Sequence, residues 1–230
     1  HSGTAYLSGA LMRWGLNFWG DERDRIAGMA AQMREQARLR SPPYSTSLLI
    51  ARCCPGVLVT GDRLWPGTLG LTRVDGRRAV IFYRRGLTDA RIREVIGHEL
   101  GHVVLERPVA GAERRCSVGG KDNHRVIDFT AEPTSEGRCD YFGDELLVPL
   151  SRLRDDVGRA RLFPPRREVA AWTAWENLVD WLAGRYRVTK ACIRRRLQLV
   201  AETAGSTGRV ALAPVVMPPG LSIKGRRHMG

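Results

Sequence analysis

The chain has 230 residues, 43% of them hydrophobic, and a formal net charge of +13 from 37 Lys and Arg against 24 Asp and Glu. That suffices for one substantial domain whose core needs no disulfides or structural metals; no apolar run approaches the roughly 20 residues of a membrane span, and five cysteines, odd in number and without a CxxC pair, point to a reduced, cytoplasmic compartment. The positive charge makes nucleic acid a partner to consider, although a composition rich in Ala, Gly and Arg produces the same excess without one.

The first twenty residues read as an N-terminal extension. Arg13 and Asn17 interrupt the apolar stretch between Tyr6 and Trp19, which argues against a secretory signal. Residues 21–39 follow as a helix, with Ile26, Met29, Ala30, Met33 and Ala37 at helical spacing and a stop before Pro42-Pro43. Residues 48–51 extend a second helix and 57–60 enter a strand, with Cys53-Cys54 between them read as small apolar residues rather than a redox pair. Two β-rich runs, 68–74 and 78–84, flank Asp75-Gly76 and predict a hairpin. Thr88 is placed to cap a helix running to Val104 or Leu105, before Pro108. Residues 107–135 look irregular, and long irregular loops tend to be functional or mobile. Helices are expected at 135–148, 166–186 and 189–201, and the Gly- and Pro-rich tail from 205 to 230 is expected to be extended or flexible. The whole reads as an α+β chain, mostly helical, with a small β-sheet beside the helix at 88–105. The domain spans 21–204, with C-terminal helices at about 166–201.

The chemical signal is His98-Glu99-Leu100-Gly101-His102, an HExxH on a predicted helix. Residues four apart share a face, so both imidazoles can address one metal ion. Glu99 is rotated about 100° from His98 and about 60° from His102, a position from which it reaches a water at the metal but does not readily ligate. Gly97 and Gly101 each cost about 1 kcal/mol relative to Ala inside a helix, so another segment is expected to approach the backbone beside the histidines. A catalytic zinc takes three protein ligands and leaves a fourth position open. Glu136 is the choice for the third, with Asp140 one turn later placed to accept a proton from the outer nitrogen of a histidine. Glu132, Asp128, Cys116 and His124 are rivals for that third position. Tyr83 and His124 are candidates for stabilising the oxyanion, and strand 78–84 is a candidate edge for an extended substrate.

The run Glu94-Val95-Ile96-Gly97-His98-Glu99-Leu100-Gly101-His102 resembles the ImmA/IrrE family of metallo-endopeptidases. So does Glu136-Gly137-Arg138-Cys139-Asp140-Tyr141-Phe142-Gly143-Asp144-Glu145-Leu146-Leu147-Val148-Pro149, which is similar to that family's E-x-x-A-(N/D)-x-F-A-x-x-L-L-x-P. A third block, 182–190 continuing to Arg196-Leu197, is similar to the family's L-A-x-x-F-x-V-S…R-L segment. Cys139 and Gly143 stand where alanine is usual, and Tyr186 where Phe is. The resemblance covers roughly 68–200 and implies a gluzincin-like, zincin-type domain holding zinc (Zn2+) through His98, His102 and Glu136, with Glu99 as general base. It further implies cleavage of a protein substrate, often a helix-turn-helix repressor, so that transcription of mobile-element or stress-response genes is released.

Two other classes compete. A DNA-binding regulator would use the basic helix at 189–201, with Lys190, Arg194, Arg195 and Arg196 on an exposed face. A non-catalytic, zinc-stabilised binding module would close the metal shell with a fourth protein ligand such as Cys116. Trp172, Trp175 and Trp181 are read as helix-packing residues ahead of a docking patch.

Overall fold

A stripe of apolar residues at helical spacing fixes the first element. In the computed structural model, which describes residues 5–75, 78–106, 113–116, 134–161 and 171–207, helix α1 spans Ala5–Gln36 and buries Ile26, Ala30 and Met33 in the core. It begins well before residue 21, so no break separates the expected N-terminal extension from the helix. It ends earlier than expected, at Gln36; Arg38 just beyond has φ of 55°, and Leu39 N–H bonds the Arg34 carbonyl. This 6→1 bond closes the helix without any need for Pro42. Helix α2 (Thr46–Cys53) follows, capped by the Ser45 hydroxyl, which accepts from Leu48 N–H.

Strands β1 (Val57–Asp62), β2 (Gly70–Asp75) and β3 (Arg78–Arg84) and the short β4 (Glu113–Cys116) form one sheet in the order β1-β3-β2-β4. The hairpin expected around Asp75-Gly76 is present as the antiparallel β2–β3 pair, in register from Gly70↔Tyr83 to Asp75↔Arg78. β1 runs parallel to β3, and β4 runs antiparallel to β2. Two expectations are corrected here. The stretch 107–135, expected to be irregular, contains β4, whose Glu-Arg-Arg-Cys sequence has no apolar alternation to announce it. β3 is flanked by β1 and β2, so both of its edges are already bonded and it offers none to a substrate.

Residues that share a face of a strand alternate. Val57, Thr72, Val74, Ala79 and Ile81 therefore point together onto the helices, while Leu58 points away and is exposed. Beneath that face lies helix α3 (Asp89–Leu105), opened by Thr88, whose hydroxyl accepts from Arg91 N–H. Its Ile96 and Leu100 join Phe142 and Leu146 of helix α4 (Ser135–Leu147) in the main core.

Pro149 ends α4, and helix α5 (Leu150–Arg161), which the sequence reading omits, begins at once. Helices α6 (Ala171–Tyr186) and α7 (Lys190–Thr207) pack with α5 around Leu153, Val157, Val179, Leu182, Tyr186 and Ile193. Trp175 is buried in that cluster, whereas Trp181 is exposed. The basic row on α7 is neutralised where it lies. Lys190 pairs with Asp180, Arg194 with Glu176 at 2.7 Å, and Arg195 with Asp144 at 2.8 Å. Arg196 is fully buried against Glu145 and donates to the Val148 carbonyl at 2.9 Å. These pairs join α7 to α4 and α6; Arg196 is buried and cannot reach an outside partner, whereas Lys190 stays exposed and Arg194 partly so, beside their carboxylates. Among the described residues no helix is long and apolar enough to cross a membrane. The architecture is α+β and mostly helical, with its sheet beside α3.

Candidate metal centre

Helix α3 presents different neighbours around its circumference, and the order of those neighbours builds the site. Val95 and Glu99 lie under β2: a Cβ placed on Gly70 would come 2.7 Å from Val95 Cγ1 and closer still to Glu99 Oε1. Gly97 and Gly101 lie against α4. A Cβ on Gly101 would meet Cys139 Cα at 2.8 Å, and one on Gly143 would meet the Gly97 carbonyl carbon at 2.8 Å. The close approach expected from the two glycines is thus made by α4, and Gly143 allows it from the other side. At about 100° per residue, His98 and His102 fall between these two directions. They project into the gap between β2 and α4.

Glu136, in the first turn of α4, faces that gap. His98 Nε2 and His102 Nε2 are 3.2 Å apart, and the two carboxylate oxygens of Glu136 lie 3.3 Å from His98 Nε2 and 3.5 Å from His102 Nε2. Four-coordinate zinc with ligands at about 2.1 Å requires ligand atoms roughly 3.4 Å from one another, so the trio has the spacing a tetrahedral ion needs. The outer nitrogens reinforce the fit. Asp140 Oδ1 is 2.7 Å from His98 Nδ1, and Glu106 Oε2 is 2.9 Å from His102 Nδ1. Carboxylates there call for N–H at both Nδ1 atoms. Both Nε2 lone pairs then converge, an arrangement that two neutral imidazoles do not favour and a cation does. The Glu136 carboxylate faces those same two lone pairs, a third electron-rich group with no proton between them. Its side chain is 38% exposed, so the trio is open on the Glu136 side. Among the described residues no fourth His, Cys, Asp or Glu joins these three.

Cys139 is buried, with Sγ 3.4 Å from His102 Nδ1. Together with Glu106 it forms a second cluster around the outer nitrogen of His102. Burial pushes its thiol far above the ordinary range, so it packs as a neutral group and leaves Nδ1 to Glu106.

Glu99 is fully buried beside the trio but faces β2. Its Oε2 accepts from the Thr72 hydroxyl at 2.6 Å, and its Oε1 is buried with no hydrogen-bond partner among the described residues. Desolvation raises its pKa, opposed by the two imidazoles and the Thr72 hydrogen bond. Gly70 is part of this arrangement, since any side chain there would occupy the space of Oε1.

The structure therefore brings His98, Glu99, His102, Glu136 and Asp140 together. It does not bring Tyr83. That ring lies over Gly61 on β1, 3.0 Å from where a Cβ would be, on the side of β3 away from β2; the absent side chain at Gly61 makes the room. His124, Asp128 and Glu132 lie outside the described residues, and Cys116 is placed only as the last residue of β4. Three contributors were missed. Glu106 stands four residues after His102, a spacing that could have found it. Thr72 and Gly70 reach Glu99 only through sheet packing, and no local pattern marks them. No protein-family model matches the chain, and a search of curated proteins finds no match either.

Proposed function

We propose that the chain is a zinc-dependent endopeptidase of the ImmA/IrrE kind, working in the cytoplasm on a protein substrate, with a helix-turn-helix transcriptional repressor as the substrate class. The observation that carries this reading is the convergence of His98 Nε2, His102 Nε2 and the Glu136 carboxylate at 3.2 to 3.5 Å, with the buried Glu99 carboxylate next to them. A zinc ion held there supplies Lewis acidity toward a peptide carbonyl and lowers the pKa of water.

The chain's own groups divide the remaining work. Asp140 and Glu106 fix both imidazole rings and their tautomers. Thr72 holds Oε2 of Glu99, which leaves Oε1 to accept a proton from the attacking water. Burial makes that carboxylate a stronger base than an exposed one, and the same proton can then be delivered to the leaving amine. The open Glu136 side gives the substrate a way in. A zinc-stabilised binding module would instead be expected to close the shell with a fourth protein donor, often a cysteine. Cys139, buried beside His102, sits at its outer nitrogen instead.

The test is to incubate zinc-loaded protein with the repressor encoded beside its gene, using Glu99→Gln as control. Cleavage by the unaltered protein, with none by a Glu99→Gln protein that still holds zinc, is the expected result. Equal cleavage by both removes Glu99 from the chemistry.

A further inference from the structure

The gap that receives the ligand nitrogens has a rim that is already taken. Going round α3, β2 lies over Val95 and Glu99, α4 lies against Gly97 and Gly101, and the ligands point between them. Ala79 and Ile81 of β3 cluster with Ile96 and Leu100. At 100° per residue, those two lie on the opposite side of Val95 and Glu99 from the two histidines. β3 therefore bonds the edge of β2 away from the gap, and β4 the edge toward it. The nearer edge is the place where an extended peptide could pair by main-chain hydrogen bonds and bring a peptide bond over Glu99 and the trio. Residues of this chain hold it instead, in antiparallel register Gly70↔Cys116, Leu71↔Arg115, Thr72↔Arg114 and Arg73↔Glu113. The two positions that shape the pocket of Glu99, Gly70 and Thr72, lie within that register.

We infer that the gap-side edge of β2 is the docking edge for the main chain of an extended substrate peptide, and that residues 113–116 are its intramolecular occupant, which substrate must displace. The inference rests on the hydrolytic reading of the metal centre. Several features suit a displaceable occupant. The pairing spans four residue pairs, shorter than the five or six residues of an ordinary strand. Its sequence is Glu-Arg-Arg-Cys, without the β-branched and aromatic residues that hold a strand in a sheet. The register also sets the kind of peptide that fits: an acidic residue opposite Arg73 and, three positions later, a small one opposite Gly70, since those positions are held here by Glu113 and Cys116. Main-chain pairing supplies affinity in such additions, and alternate side chains supply selectivity.

The experiment uses a fluorescein-labelled synthetic peptide of this chain's residues 111–118, with reductant and chelator present. It is titrated into the full-length protein and into an Arg114→Pro/Arg115→Pro double variant. Successive N–H groups of a strand point to opposite sides, so one of the two prolines removes a bond to β2 whichever way the strand is phased. The expected result is at least tenfold tighter binding to the double variant than to the unaltered protein, lost when the peptide itself carries the two prolines. Equal binding to both proteins, or binding to neither, overturns the inference. Hydrogen exchange on the unaltered protein guards against a misfolded variant: saturating peptide should speed exchange at 113–116 while 70–73 stay protected, and unchanged exchange at 113–116 counts against displacement. Neither measurement involves zinc or hydrolysis. Failure here leaves the Glu99→Gln cleavage test standing, and failure of that test leaves this edge standing.

Discussion

Replacing Gly101 by alanine tests whether the α3–α4 contact sets the metal geometry. The new Cβ would lie 2.8 Å from Cys139 Cα and 2.9 Å from Cys139 Cβ. Ordinary carbon contact begins near 3.5 Å, so the helices must separate by about 0.7 Å. Glu136 sits one turn before Cys139 on the same helix and would move with it, whereas zinc ligand distances tolerate about 0.2 Å. Overpacking costs about 1–3 kcal/mol, and the better helix propensity of alanine returns about 1 kcal/mol. The expected outcome is a neutral to modestly lower melting point without metal, together with zinc affinity reduced roughly tenfold or more. Gly28→Ala and Gly158→Ala are the controls: nothing lies within 4 Å of their new Cβ atoms, so each should raise stability by about 0.5–1 kcal/mol. Thermal melts and zinc competition against a chromophoric chelator supply both readings. A Gly101→Ala protein that melts above the parent and binds zinc as tightly would refute the reasoning.

Asp140→Asn and Glu106→Gln should each weaken zinc binding about 10–100-fold while leaving the fold intact, as judged by chelator competition and circular dichroism; unchanged affinity in both would mean that the carboxylates do not orient the rings. Glu145→Ala strands the fully buried Arg196 and should cost about 3–5 kcal/mol in chemical denaturation, a loss that an exposed, DNA-facing arginine would not produce. Burial raises the phenols of Tyr44, Tyr141 and Tyr186 above their ordinary value of 10.0. Above about pH 10 the unfolded chain releases phenolic protons that the folded chain keeps, so the native state binds more protons and stability falls as pH rises. Denaturation midpoints between pH 8 and 11 should show that decline, with phenolate absorbance lagging until unfolding; a flat profile contradicts it.

Helix α3 was legible because it carries a local signature of a Thr cap, an apolar stripe and glycines placed where a neighbour must come close, and α4 because Pro149 marks its end. Asp140 was legible locally as well, as it lies one turn from Glu136. Contacts made through the sheet left no such trace. Thr72 reaches Glu99 across 27 positions of sequence, and only the strand register puts it there. β4 is too short and too polar to show a period of two. Helix α5 hides its apolar positions, Leu153 and Val157, among arginines and aspartates. Tyr83 looked well placed because it ends β3 just before α3, but a strand's end does not say which way its ring leans, and Gly61 drew it toward β1. The pairing of the basic row on α7 was hidden for a related reason, because its partners, Asp144, Glu145, Glu176 and Asp180, sit on other helices.

X-ray absorption at the zinc edge, on protein loaded with one equivalent of zinc, addresses the central claim most directly. Two imidazole nitrogens and one carboxylate oxygen from the chain, with the carboxylate contribution lost in Glu136→Ala, is the predicted shell. Sulfur among the ligands, or a spectrum that Glu136→Ala leaves unchanged, would contradict it.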